Sequence, residues 1–301
     1  MDAFLARKLG QSATQIRKLL RTAIVRLNGR RSSKGETVAM GATVQLIADV
    51  EDQTNAHLPS EESSASQSVF VVPDSTVTLP VVFVDDHLVA VNKPAGIPSH
   101  PLNIRERGTA ANGIVAMYGE CAVASEDPRE GGLAHRLDTG TSGVLIAARS
   151  RDAWQSVRAA LASAASEKTY LAEVLGHPPD SGRIDAAIGR IGRRGRAVKI
   201  DGGRNPQSAE TSWTVVSRGA DTSLVMASLH RGRPHQVRAH LAASGFPIVG
   251  DDRYGSAPPG TDVLGLRLHA FRVKLPHPID GTTLIIEAPP PPWAKSARFL
   301  A

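Results

Sequence analysis

From Leu79 to Ala288 the chain returns repeatedly to short apolar, β-branched runs broken by turns. Only two stretches in that region show helical spacing. LPVVFVDDHLVAVNKPAG reads as two strands about an Asp-Asp-His turn, and VLIAA at 144–148 as a buried strand. Further strands are predicted at Thr169–Leu175, around Ile248, at Leu266–Val273 and at Thr283–Ala288, before Pro289–Pro292 ends the regular structure. One helix is predicted over Ser150–Ser166, with Ser150 as cap, Asp152 in the first turn and Trp154, Val157 and Leu161 on one face. The other spans Pro234–Ser244, with proline at its first position, Val237 and Leu241 inward and Gly245 as the stop. Many strands, few helices and no strict strand–helix alternation predict an α+β fold, a mixed, mostly antiparallel sheet with helices packed on it.

The 301 residues allow one large domain and a small one, and 41% hydrophobic content supports a real core. Residues 1–48 hold nine Lys/Arg against two Asp/Glu, the footprint of a polyanion-binding segment or of a solvated surface. Asp2–Leu9 and Ser12–Leu20 read as short helices, the second placing Arg17 and Arg21 one turn apart beside Lys18. Ala23–Leu27, Asn28-Gly29 and Arg30 read as a hairpin, and Thr43–Ala48 as another strand. Residues 49–78 are predicted to be an acidic, Ser-rich linker, with the main domain at 79–301. The single cysteine, Cys121, offers no internal disulfide, and no run reaches the roughly 18 apolar residues of a membrane span. A soluble, cytoplasmic protein, monomeric and without a membrane partner, is expected.

Three polar clusters could carry chemistry. GGLAHRLDTGTSGVLI places His135, Arg136 and Asp138 in a loop bounded by glycines, and HRGRPHQVR at 230–238 brings three arginines into a helix. KTYLAEV adds Lys168 and Tyr170 at a strand start. A lone loop aspartate is as readily a turn former or a cap. A partly buried one needs a cation, and Arg238 is a candidate partner. His230, His235 and His240 recur every five residues, which does not stack ligands on a helix face, so no metal site is predicted. A nucleophilic-serine elbow and a nucleotide-binding loop are both missing. Arg190, Arg193, Arg194, Arg196, Lys199 and Arg204 form a cationic stretch, an RNA-backbone contact or a solvated loop.

HRLDTGTSGVLI resembles the signature of the RluA-type family of RNA pseudouridine synthases. Four more segments follow in that family's order: VNKPAGIPSHP, EKTYLAEV, GRPHQVRAHLAASGFPIVGDDRYG and LHAFRVKLPHP. Residues 1–48, with SATQIRKLL and VRLNGRR, resemble the small RNA-binding domain first seen in ribosomal protein S-four. The resemblance implies that Asp138 is the essential aspartate, Arg238 its paired arginine, and Tyr170 the aromatic that packs on the target base. It implies that Arg136 enters the RNA stack in place of the uridine. Arg17, Lys18, Arg21, Arg30, Arg193, Arg194 and Arg233, from the cationic segments, are the further RNA contacts expected. Relatives usually carry a hydroxyl residue where Pro234 stands and a threonine where Arg231 stands.

The implied reaction breaks the uracil–ribose bond at nitrogen, turns the base and rejoins it through carbon 5. Substrate and product are isomers, so no cofactor is implied. Positive character on the sugar calls for a carboxylate, and a carboxylate kept ionised in a pocket calls for a guanidinium. A base inside an RNA helix must first be flipped out, which costs a few kcal/mol. Ribosomal RNA of the large subunit is the expected partner and transfer RNA the alternative. A silent RNA-binding protein on the same fold is the alternative from outside enzymology, and intact Asp138, Tyr170 and Arg238 argue against it.

Overall fold

The computed structural model describes residues 70–192, 197–255 and 265–294, with the backbone of three short strands nearer the N-terminus. The chain divides into two compact units, residues 1–65 and 66–301. In the first, β1 (Ile24–Leu27) pairs antiparallel with both β2 (Arg30–Arg31) and β3 (Val44–Ile47). The pairing of Leu27 with Arg30 leaves two residues for the loop, the spacing predicted from Asn28-Gly29. The predicted helices over 2–9 and 12–20 lie outside the described residues.

The second unit begins earlier than the expected boundary at 79. Val71 is buried in the same apolar cluster as Leu79 and Ile114, with Val77 packed against it, so residues 71–78 belong to the folded unit rather than to a linker. Burying these apolar side chains outweighs the polar character of their neighbours.

The main sheet has nine strands: β4 (Val81–Val84), β5 (Leu88–Lys93), β6 (Ser142–Ala148), β7 (Glu167–Leu175), β8 (Ser181–Asp185), β12 (Glu210–Arg218), β13 (Thr222–Leu229), β14 (Leu268–Pro276) and β15 (Thr283–Glu287). Their order is β4-β5-β6-β14-β7-β13-β12-β8, with β15 also paired to β14. Every pairing is antiparallel except that of β6 with β14, so a parallel seam joins two antiparallel sets. At the seam Gly143 opposes Ala270 with φ +114°, and a Cβ there would lie 2.2 Å from the Ala270 carbonyl oxygen. Only glycine admits that approach.

Strand alternation places helices on opposite faces of the sheet. Val89, Val91, Leu145 and Ala147 pack with α1 (Ala110–Met117), while Leu88, Ala90, Val144 and Ile146 pack with α2 (Arg151–Leu161). α2 is capped by Ser150, whose Oγ accepts from the Ala153 N–H, and buries Trp154, Val157 and Leu161 as predicted; it stops at Leu161 rather than near Ser166. α3 (Gln236–Ala243) packs Val237 and Leu241 on Ala172, Val174, Val225 and Ala227.

α3 does not begin at Pro234. The Gln236 N–H bonds back to the Arg233 carbonyl, and His235 takes φ 55°. A proline second and a positive φ third are the pattern of a type II turn, so proline serves the turn before the helix. The cationic stretch that includes Arg190, Lys199 and Arg204 falls in a separate three-stranded sheet of β9 (Ile188–Ile191), β10 (Ala197–Ile200) and β11 (Arg204–Gln207). Ile188 and Val198 seat it on Ala239 of α3, with Tyr254 alongside. No helix among the described residues is long and apolar enough to cross a membrane.

Candidate active site

Above the seam, at the ends of β6, β7, β13 and β14, lies an open cleft of about 470 Å³ lined by Asp138, Thr141, Tyr170, Leu229 and Leu268. Seven Lys/Arg and two Asp/Glu border it, which makes it a basin for an anion.

The loop carrying Asp138 is fixed from behind. Ser99 Oγ donates to the Leu137 carbonyl at 2.7 Å and accepts from the Leu137 N–H at 3.0 Å. The Ile146 N–H donates to His135 Nε2 at 3.1 Å, so that ring accepts and is neutral; burial, with the charge of Lys168, pushes it down to about 3. Lys93 has no exposed surface, and its Nζ donates to the carbonyls of Pro94, Ile97 and Thr139, the last one residue beyond Asp138. Burial lowers that ammonium to about 8, against the opposing pull of Asp138. Three carbonyls and a nearby carboxylate are the compensation a buried cation requires.

Arg238, on α3, is only 6% exposed. Nε and Nη2 donate to the two oxygens of Asp251 at 2.8 and 2.7 Å, a bidentate fork, and Nη2 also reaches Asp252 at 3.2 Å. Asp251 is fully engaged, since its Oδ1 also accepts from the amides of Arg253 and Tyr254. The fork leaves Nη1 to donate to Asp138 Oδ2 at 3.1 Å. Burial alone would lower the Arg238 pKa, but the hydrogen bonds and charges of Asp251 and Asp138 hold it above the ordinary value. The guanidinium is thus a fixed charge aimed by one carboxylate at another.

Tyr170, on β7, lies where the clusters under α1 and α3 meet and borders the cleft. Burial and the charge of Asp138 raise its pKa, so the phenol stays protonated. Arg136, Arg190 and Arg231 border the cleft, are exposed, and have no side-chain partner among the described residues. Arg233 also borders it, its Nε donating to the Ser208 carbonyl at 3.4 Å.

Of the residues singled out from sequence, the fold gathers Asp138, Arg238, Tyr170, Arg136 and Arg233 in one cleft. Arg17, Lys18, Arg21, Arg193 and Arg194 lie outside the described residues, and Arg30 is described only as a backbone position in β2. Sequence reasoning missed Asp251, Lys93 and Ser99. Asp251 lies inside GDDRYG and Lys93 inside VNKPAG, segments that carry the family resemblance without assigning either residue a role.

The family model described as RNA pseudouridylate synthase matches residues 87–243. An uncharacterised RNA pseudouridine synthase of Mycobacterium bovis is 34% identical over 295 residues, covering 97% of this chain and 90% of the relative. Ribosomal large subunit pseudouridine synthase D of Nitrosomonas europaea is 31% identical over 301 residues, covering 97% of this chain and 81% of that protein. The solved structure of human RNA pseudouridylate synthase domain containing 1 superposes with a TM-score of 0.60 at 28% identity, covering 75% of this chain and 89% of that one. In sequence over almost its whole length, and in the fold that carries the cleft, the chain belongs to the RNA pseudouridylate synthase family, isomerases that convert uridine in RNA to pseudouridine.

Proposed function

We propose that Asp138 is the catalytic carboxylate of this synthase and that its substrate is large-subunit ribosomal RNA. The observation that carries the first half is the aimed pair: Arg238, locked by Asp251, donates to one oxygen of Asp138 inside a cationic cleft. The carboxylate meets the positive character that develops at the anomeric carbon as the uracil–ribose bond breaks, as nucleophile or by charge alone. Tyr170 forms the platform on which the freed uracil turns before carbon 5 bonds to the ribose and releases its proton. Arg136, exposed at the rim and without a side-chain partner among the described residues, fills the gap left in the RNA by the flipped nucleotide.

Support for ribosomal RNA comes from the synthase of Nitrosomonas europaea, named for the large ribosomal subunit and matched over 97% of this chain. Pseudouridine mapping across all cellular RNAs, with and without the gene, tests it. Loss at one or more large-subunit uridines is expected; loss confined to transfer RNA would overturn that assignment.

Residues 1–48 we assign as an RNA-binding module joined by an acidic segment to a monomeric, cytoplasmic enzyme; the density of Lys/Arg there supports the first part. Deleting residues 1–48 is expected to weaken RNA binding and to flatten the dependence of log K on log salt, by about one unit for each phosphate that the module neutralises. Turnover on a short hairpin is expected to survive. An unchanged slope would remove the module from RNA binding.

A further inference from the structure

Asp138 has two oxygens, and Arg238 accounts for one. The other, Oδ1, faces Nε2 of His235 at 3.7 Å. That distance is too long for a hydrogen bond in the free protein, but such contacts at reacting groups commonly tighten once substrate is bound. The His235 backbone is left-handed at φ 55°, a conformation that a residue with a Cβ adopts at a cost, and one found at sites where side-chain direction matters.

The ring's protonation follows from its neighbours. The Val198 N–H, on β10, donates to the Tyr254 hydroxyl oxygen at 2.9 Å. The same hydroxyl lies 2.8 Å from His235 Nδ1 and has no further partner among the described residues. With its oxygen accepting from Val198, the hydroxyl proton is directed to Nδ1. A neutral ring then carries its own proton on Nε2, the nitrogen aimed at Asp138. Burial favours the neutral ring and lowers its pKa, with Arg238 and Arg253 acting the same way against Asp138 and Asp251.

We propose that His235 is a positioning residue for Asp138, its Nε2–H orienting Oδ1 during the reaction in the tautomer fixed by Tyr254 and Val198. This rests on Asp138 being the catalytic carboxylate. A neutral donor suits that oxygen, because it steers the carboxylate without the neutralisation that a second guanidinium would bring. Once the His235–Asp138 contact tightens, the chain Val198–Tyr254–His235–Asp138 also ties the carboxylate to the β9–β11 sheet, which carries Arg190 and Lys199. RNA seated on that sheet is thereby registered at Asp138 Oδ1.

Substitutions separate this role from a structural one. His235→Asn tolerates the left-handed backbone and reaches Tyr254, but presents no donor to Asp138. His235→Gln extends an amide to the position of Nε2. Tyr254→Phe keeps the ring against Arg238, 5.4 Å from the guanidinium carbon, but frees the tautomer. Single-turnover release of tritium from uracil carbon 5 is measured with the full chain on an RNA that the wild type modifies. His235→Asn is expected to slow release about tenfold or more, with RNA affinity and Tm near wild type, and Tyr254→Phe to fall between it and wild type. His235→Gln is expected to recover most of the rate that His235→Asn forfeits.

A wild-type rate in folded His235→Asn, or a defect confined to RNA affinity, overturns the proposal; so does His235→Gln as slow as His235→Asn. If His235→Asn does not fold, Tyr254→Phe and His235→Gln decide it: wild-type release in the first, or a tenfold loss in the second, refutes the role. Run beside them, an active Asp138→Asn would refute the underlying reading instead.

Discussion

Asp138→Asn is expected to abolish pseudouridine formation, a loss of about a thousandfold or more, while RNA affinity stays within about twofold of wild type. The substitution changes charge and almost nothing else. The amide oxygen still accepts from Arg238 Nη1, and the loop does not depend on the aspartate side chain for its position. Leu137 is held by Ser99 through both backbone groups, and Thr139 by Lys93 and by the Gly96 N–H. On the proposed reading, RNA affinity rests on the exposed arginines at the rim and on residues 1–48, all of which the substitution leaves in place.

What disappears is the negative charge that, on the proposed reading, faces the ribose. An amide neither attacks the anomeric carbon nor balances positive character there, and the fixed charge of Arg238 then opposes it. Asp138→Ala, measured in parallel, separates loss of charge from loss of the hydrogen bond. Near-normal tritium release in either variant would remove Asp138 from the reaction.

How much of this was legible in the sequence differs from element to element. β5 and β6 were readable because they alternate between two buried faces and so lack a polar phase, whereas β12 and β13 were not predicted. α1 was not foreseen: AANGIVAM is buried through most of its length, has no polar stripe, and contains Asn and Gly that read as loop. β8 and β11 were missed because their residues are largely exposed, and pairing with neighbours rather than an apolar pattern defines them. Within the site, Asp138 and Arg238 stand a hundred positions apart, and what connected them was the need of a loop carboxylate for a cation together with the family resemblance. Asp251 was invisible for a different reason. In GDDRYG an aspartate is the ordinary turn former, and nothing local shows that this one faces inward to grip a guanidinium.

That grip sets the second large expectation. Asp251→Ala removes both acceptors of the Arg238 fork and leaves a guanidinium that is almost wholly buried without its main counter-charge. Stranding one member of a buried pair costs about 3–5 kcal/mol, roughly 10 °C in Tm for a unit of this size. Activity is expected to fall more steeply than stability, because Arg238 is free to turn its fork onto Asp138 and drag the carboxylate out of line. Asp251→Asn should lie between, since its oxygen still accepts from the amides of Arg253 and Tyr254. Acid titration of stability gives an independent reading. Burial alone would raise the Asp251 pKa, but Arg238 and those two amides outweigh it and hold it below the ordinary 3.8. A carboxyl whose folded value is depressed contributes stability that is complete above the unfolded value and drains away as pH falls through the folded one. Urea midpoints followed from pH 7 to about pH 3 should therefore fall more steeply in the wild type than in Asp251→Ala, so that the two curves converge in acid. Parallel curves would mean that the Arg238–Asp251 fork contributes nothing that protonation can remove, and that Arg238 is held in place by packing alone.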